Sequence, residues 1–259
     1  VARQILEHPG VGQLGLDVRL LPMGGAPVPP DLPARAIELF GGDAPILNGY
    51  GSTETTSAVV TNVGVEYAAH LDSVGRPNLT ADVRVVGPDG RPLGPTERGE
   101  LCMRSPQVVK GYWNDETATK ASFQDGWFHS GDVGFIDADG FVHVVDRIKD
   151  VVIRGGENVY CLEVEAILQE HPDVADVTVV GLDERAMGER VCAVVVPRPG
   201  ATVDLAGLRA FAADRLARFK SPEALYVTDE LPRTATGKVA KNAVRAQVAE
   251  APEAVERAW

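Results

Sequence analysis

Asn48-Gly49-Tyr50-Gly51-Ser52-Thr53-Glu54 follows the short apolar run at residues 44–47, and this junction decides the fold. Residues 44–47 read as a strand and the Gly-rich run as the loop leaving its end. The same order occurs once before. Residues 17–21 read as a short buried strand that runs into the breaker-rich loop Pro22-Met23-Gly24-Gly25-Ala26-Pro27. A helix over residues 34–40 then opens near Asp31 and closes at Gly41-Gly42. Strands and a helix in alternation, with glycines after the strands, predict an α/β sheet, and ligands of such sheets sit at those strand ends.

The residue types in the run point to a nucleotide. Glycine lets backbone N–H groups come close to a ligand. The Thr53 hydroxyl suits a phosphate oxygen, the Glu54 carboxylate suits a hard divalent cation such as Mg²⁺, and the Tyr50 ring offers a face on which a base stacks. A Gly-rich turn with a surface Thr and Glu is the competing reading. The run matches neither G-x-G-x-x-G nor the P-loop pattern.

Further along, the texture turns to antiparallel strands. Residues 82–86 and 100–104 flank the turn Gly87-Pro88-Asp89-Gly90, and residues 134–137 and 141–145 flank Ala138-Asp139-Gly140. These predict a small β-barrel or meander, with a helix inserted over residues 115–123. After Asp146-Arg147-Ile148-Lys149-Asp150 the pattern changes again. A strand at 151–153, a helix at 162–171 stopped by Pro172, apolar strands at 177–182 and 191–196, and helices at 205–216 and 242–249 form an α+β unit. The expected division is 1–148 (α/β over 1–60, β-barrel over about 61–148) and 149–259. The charged run before residue 150 is short for a linker and reads as a hinge. Residues from about Glu250 are expected to fray.

Composition bounds the function. Of 259 residues, 44% are hydrophobic and 24% charged, which is globular composition with length enough for two domains. The net charge of −12 argues against a general nucleic-acid binder. No apolar run is long enough to span a membrane. Cys102, Cys161 and Cys192 are far apart, odd in number and in no metal spacing, and the five His do not cluster. Reduced structural thiols and a cytoplasmic location are expected. Because residue 1 is Val and no signal peptide follows, the chain reads as a fragment.

Three other stretches carry chemistry. In Trp127-Phe128-His129-Ser130-Gly131-Asp132, an Asp behind a tight Ser-Gly turn suits a ribose diol, or simply caps a turn. Arg147 suits a phosphate or a ribose hydroxyl. Gly155 and Gly156 mark a bend, or a place where a ligand passes the backbone. Lys238, in Leu231-Pro232-Arg233-Thr234-Ala235-Thr236-Gly237-Lys238, is a cation on a shaped loop, fit to meet an anion, with a solvated turn as the alternative.

In this order and at this spacing, these stretches resemble the adenylate-forming enzymes: acyl-CoA synthetases, aryl-CoA ligases, luciferases and peptide-synthetase adenylation domains. The resemblance runs through Gly24-Gly25-Ala26-Pro27, Tyr50-Gly51-Ser52-Thr53-Glu54, Gly99-Glu100-Leu101, Lys110-Gly111-Tyr112, residues 127–132, 146–158 and 232–238. It implies the end of a large α/β adenylation domain with a β-barrel subdomain, then a small mobile α+β domain. It implies ATP, Mg²⁺ and CoA, and a carboxylic acid made into an acyl-adenylate and then a thioester. By the same resemblance, Gly25, Ala26 and Tyr50 line the adenine pocket, and Pro27, Asn48, Gly49 and Gly51 are cofactor-binding. Thr53 touches the phosphates and Glu54 holds Mg²⁺. Asp132 takes the ribose hydroxyls with Arg147 nearby, Lys149 is the hinge, and Gly156 leaves room for the pantetheine arm. Lys238 serves the first half-reaction and must leave for the thiol to enter.

One expected element is missing: the Ser/Thr/Gly-rich phosphate loop with its own Lys, together with most of the acyl-binding half. The chain alone is therefore expected to lack ATP–pyrophosphate exchange. The reading nearest to these residues is a fatty-acid or related carboxylic-acid CoA ligase. The alternatives are an adenylation domain loading a carrier protein and a non-catalytic nucleotide-binding homologue.

Overall fold

In the computed structural model, residues 2–25, 28, 31–41, 46–235 and 237–258 are described. The chain divides into two compact units, Val1–Val144 and Val145–Trp259.

The first unit opens with α1 (Ala2–Leu6), β1 (Leu21–Gly24), α2 (Asp31–Phe40), β2 (Ile46–Ser52), β3 (Ser57–Val63), α3 (Gly64–Ala69) and β4 (Arg76–Pro77). Leu32 and Ala36, one turn apart on α2, bury against Leu6, Met23, Ile46 and Tyr67. β1 and β2 pair in parallel, with Leu21 opposite Ile46. β2 and β3 are antiparallel, and β4 closes the order β1-β2-β3-β4. Three expectations change here. Pro22, Met23 and Gly24 belong to β1 rather than to a loop, because they pair with Leu47, Asn48 and Gly49. Residues 17–20 form no strand; Asp17, Arg19 and Leu20 are exposed, and pairing begins only at Leu21, where β2 offers a partner. The run Asn48–Ser52 is strand rather than loop, because all of it pairs with β3 and Asn48 and Gly49 pair with β1 as well.

A second sheet follows: β5 (Asp82–Val86), β6 (Gly99–Arg104), α4 (Glu116–Ser122), β7 (Phe123–Gln124), β8 (Trp127–Ile136) and β9 (Val142–Arg147). Its order is β5-β6-β8-β7, with β9 also on β8. The inserted helix α4 is capped by Asp115, whose Oδ1 accepts the Ala118 N–H at 2.8 Å. Val59 and Val60 of β3 share a core with Val85, Leu101, Met103, Phe128 and Val142, so the two sheets pack as one body.

The second unit holds β10 (Val152–Arg154), β11 (Glu157–Val159), α5 (Cys161–Gln169), β12 (Val174–Glu184), β13 (Gly188–Pro197), α6 (Leu205–Ala212), β14 (Ala224–Val227), α7 (Lys241–Glu250) and β15 (Val255–Arg257). Alternation along β12 and β13 sorts their apolar side chains to two faces. Val179, Val191, Ala193 and Val195 pack with Val164 and Leu168 of α5 and Leu208 of α6. Val180, Cys192 and Val194 pack with Val244 and Val248 of α7. The helix expected over 205–216 ends at Ala212, after which the backbone tightens into short turns such as Arg215 N–H to Ala212 O at 3.0 Å. The expected fraying from Glu250 is also corrected: β15 pairs antiparallel with β14, and Val255 is buried.

Candidate nucleotide-binding site

The first unit brings two distant motifs together. The Tyr50 hydroxyl on β2 donates to Asp132 Oδ2 on β8 at 2.7 Å, across 82 residues of sequence. One edge of the tyrosine ring is thereby fixed beside a carboxylate, so that an aromatic face and a charged hydrogen-bond acceptor stand together.

The glycines between these groups are required by the chain itself. A Cβ at Gly51 would lie 2.2 Å from Ser57 O and 2.8 Å from Ala58 Cα, both backbone atoms of β3. A Cβ at Gly24 would lie 2.4 Å from Gly49 O, and Gly24 has φ +145. These positions need glycine for close strand packing before any ligand is considered. Gly25 (φ +73) is exposed at the end of β1. Ala26 and Pro27 lie outside the described residues. Asn48 is buried and pairs across the ladder with the buried Asn62.

Thr53 and Glu54 sit on the turn between β2 and β3, with Thr53 exposed and Glu54 half-buried. The buried Thr55 holds this turn: its Oγ1 accepts the Ser52 N–H at 2.8 Å and donates to Ser57 O at 2.7 Å. Gln107 Nε2 donates to Thr55 O at 2.9 Å, and the Thr56 hydroxyl donates back to Gln107 O at 2.6 Å. The Val109 N–H reaches Glu54 O at 2.8 Å, and the Tyr112 hydroxyl donates to Glu54 Oε1 at 2.7 Å. The pKa of Tyr112 is raised, first by burial and then by its bond to Glu54. Thr55, Gln107 and the role of Tyr112 escaped sequence reading, because the contacts join loops about fifty residues apart. Thr53 and Glu54, consecutive on this turn, carry a hydroxyl and a carboxylate, oxygen donors of the kind that suit Mg²⁺.

Sequence spacing had also left Glu100, Cys102 and His129 apart, yet their ligand atoms lie within 4.8 Å of one another. Their geometry is that of a hydrogen-bonded brace. His129 Nδ1 lies 2.8 Å from Glu100 Oε2, closer than about 3.3 Å, the spacing of two ligands on a tetrahedral ion. Glu100 Oε1 accepts the Gly131 N–H at 3.0 Å, and burial pushes the Cys102 thiol up to about 12, which keeps it protonated.

The second unit carries the other candidates. Asp146 is buried and accepts the N–H groups of Arg147 at 2.7 Å and Leu162 at 3.3 Å. Burial raises its pKa, an effect that Lys241 and these two N–H groups partly oppose. Asp150, also buried, accepts from Arg245 Nη2 at 3.1 Å, and its carbonyl accepts the Cys161 thiol at 2.9 Å. A short 3₁₀ turn, Ile148–Asp150, is thus clamped at both flanks and holds Arg147 and Lys149 exposed. Gly156 (φ +88) is exposed, and a Cβ there would meet nothing within 4 Å. Lys238 is exposed on a closed turn. The Thr234 N–H donates to Lys238 O and the Gly237 N–H to Thr234 O, both at 2.8 Å. Arg233 donates to Gly237 O at 2.8 Å and pairs with Asp176. Thr236 lies outside the described residues.

Cys161 and Cys192 share the condition of Cys102: buried, with burial first among the causes pushing their thiols up to about 12. At pH 8 the thiol reagent DTNB is expected to react slowly with the native chain and to titrate three thiols after denaturation. Rapid reaction of even one native thiol would contradict this burial.

Among the described residues no helix is long and apolar enough to cross a membrane. Residues 1–113 match the AMP-binding enzyme family, and residues 163–238 match the AMP-binding enzyme C-terminal domain. Feruloyl-CoA synthase of Amycolatopsis sp is 43% identical over 228 residues, covering 88% of this chain and 46% of the relative. Among solved structures, o-succinylbenzoate CoA synthetase of Bacillus subtilis in complex with its acyl-adenylate intermediate matches at TM-score 0.81 and 36% identity, over 88% of this chain and 46% of that one. Amide bond synthetase of Marinactinospora thermotolerans matches at TM-score 0.86 and 36% identity, over 95% and 51%. The chain belongs to the AMP-binding, adenylate-forming enzyme family. It spans about half the length of these relatives.

Proposed function

We propose that the complete protein is an ATP-dependent carboxylic acid–CoA ligase. The carboxylate oxygen attacks the α-phosphorus of ATP and pyrophosphate leaves. The CoA sulfur then attacks the acyl carbonyl carbon, AMP leaves, and the thiol proton passes to solvent. The observation that carries this reading is the Tyr50–Asp132 bond, which joins the stacking residue to the ribose-binding carboxylate.

In this reading Gly25, Asn48, Gly49, Tyr50 and Gly51 surround the adenine, together with Ala26 and Pro27, and Asp132 accepts from the ribose hydroxyls. Thr53 faces the phosphates. Glu54, oriented by Tyr112, would hold Mg²⁺ beside Thr53, and the bound ion would offset charge on the phosphate oxygens. Arg147 is a second contact to the nucleotide. Lys149 is the hinge residue, and its clamped turn supports that role, since bending concentrates where rigid flanks meet. Gly156 leaves space for the pantetheine arm of CoA, and Lys238 supplies charge to the first step. We divide the protein functionally at residues 148/149, as the charged run suggests.

We place the acid among fatty acids and related carboxylic acids. The relative named for feruloyl-CoA makes ferulate a necessary comparison. An amide bond synthetase is structurally as similar, so the acceptor needs its own test. The complete enzyme is given ATP, a panel of acids and either CoA or an amine, and AMP release is followed. Turnover that requires both an acid and CoA supports the ligase. Turnover with amine and no need for CoA favours amide synthesis, and nucleotide binding without turnover favours a binding homologue.

A further inference from the structure

We propose that Glu100 is a positioning residue for Asp132, acting through a bulge in β8. The inference rests on the reading of Asp132 as the ribose-binding carboxylate.

The pairing of β6 with β8 is interrupted at one place. Glu100 lies opposite Val133 and Cys102 opposite His129, so the single residue Leu101 faces the three residues Ser130, Gly131 and Asp132. Such an insertion bends a strand and re-aims the side chains within it. Here it carries Asp132 to the Tyr50 hydroxyl. Gly131 sits in the left-handed region, φ +71, which lets the bulge turn.

A bulge without ladder bonds needs other partners, and Glu100 supplies them. Its Oε1 accepts the Gly131 N–H at 3.0 Å, the amide directly before Asp132. Its Oε2 accepts from His129 Nδ1 at 2.8 Å, at the other end of the bulge. A carboxylate only accepts, so the hydrogen is on Nδ1. Ser130 completes the frame: its hydroxyl donates to Leu101 O at 2.7 Å and accepts the Asp132 N–H at 3.0 Å. Glu100 therefore holds the residues on either side of Ser130, whose hydroxyl accepts the Asp132 N–H. Small displacements of such a group are costly in rate, because a reacting or binding group must be held within a fraction of an ångström.

The test uses the complete enzyme with ATP and with 2′,3′-dideoxy-ATP, comparing kcat/KM. The wild-type enzyme is expected to prefer ATP by tenfold or more, about the worth of one hydrogen bond to a charged group. Glu100→Ala is expected to lower kcat/KM for ATP about tenfold, mainly through KM, and to leave dideoxy-ATP within about twofold. Glu100→Gln keeps an oxygen for the Gly131 N–H and should retain most of the preference. If Glu100→Ala does not fold, Ser130→Ala loosens the same bulge and is expected to show the same selective loss. Equal loss on both nucleotides, or none on either, would overturn the positioning role. A wild-type enzyme indifferent to the ribose hydroxyls would instead overturn the reading of Asp132, and the inference with it.

Discussion

Replacing Lys238 by Ala in the complete enzyme is expected to slow acyl-adenylate formation about 10²–10³-fold, while thioester formation from supplied acyl-adenylate changes only a few-fold. The first step brings a carboxylate onto a phosphate. Both are anions, so the barrier falls when positive charge stands where negative charge gathers, and an ammonium group answers that need. The second step brings a thiol to an acyl carbonyl and makes no such demand. The proposed role fits the setting of Lys238: its turn is closed by bonds at Thr234, Gly237 and Arg233, and the side chain stays exposed. Equal slowing of both steps would contradict the assignment.

Lys241→Ala is expected to cost about 3–5 kcal/mol of stability, although only two residues separate it from Lys238. Its Nζ donates to Glu165 Oε1 at 2.8 Å and to Val179 O at 3.0 Å, and the two side chains are 13% and 16% exposed. Burial works against the charge on Lys241, but Glu165 and its other acidic neighbours outweigh it and hold its pKa above the ordinary lysine value. Glu165 also accepts from the Thr178 hydroxyl at 2.9 Å and the Val179 N–H at 2.7 Å, which ties α5 to β12. Removing the lysine leaves a buried carboxylate with those two donors and no counter-charge. Urea unfolding followed by circular dichroism measures the loss, and Lys241→Ala with Glu165→Ala together should cost less than the sum of the two alone. A loss under about 1 kcal/mol would mean that the pair behaves as a surface pair.

The contrast between these two lysines marks what sequence can show. Lys238 stands out in the sequence because Pro, Thr and Gly surround it, and the structure places it exposed on a closed turn. Lys241 has no such setting in the sequence, and the structure commits it to Glu165. Most strands and helices were legible from β-branched runs, breakers and helical spacing. The errors have a common cause. Residues 17–20 alternate apolar and polar as a strand would, yet among the described residues no strand pairs with them. Val255–Arg257 look like a polar tail, yet β14 pairs with them. Asn48–Ser52 look like a glycine loop, yet two strands flank them. Each is decided by whether a partner strand lies alongside, which local propensity does not encode. The site divides in the same way. Tyr50, Thr53, Glu54 and Asp132 stand in recognisable motifs, whereas their supports Thr55, Gln107, Tyr112 and Glu100 act across about thirty to sixty residues or from within a turn.

The most direct measurement follows oxygen. The complete enzyme is given a carboxylic acid labelled with ¹⁸O in both carboxyl oxygens, with ATP and CoA, and the products are weighed by mass spectrometry. Adenylation predicts one labelled oxygen in AMP, one in the acyl-CoA carbonyl and none in pyrophosphate. Unlabelled AMP, or ADP and phosphate in place of AMP and pyrophosphate, would contradict an acyl-adenylate route.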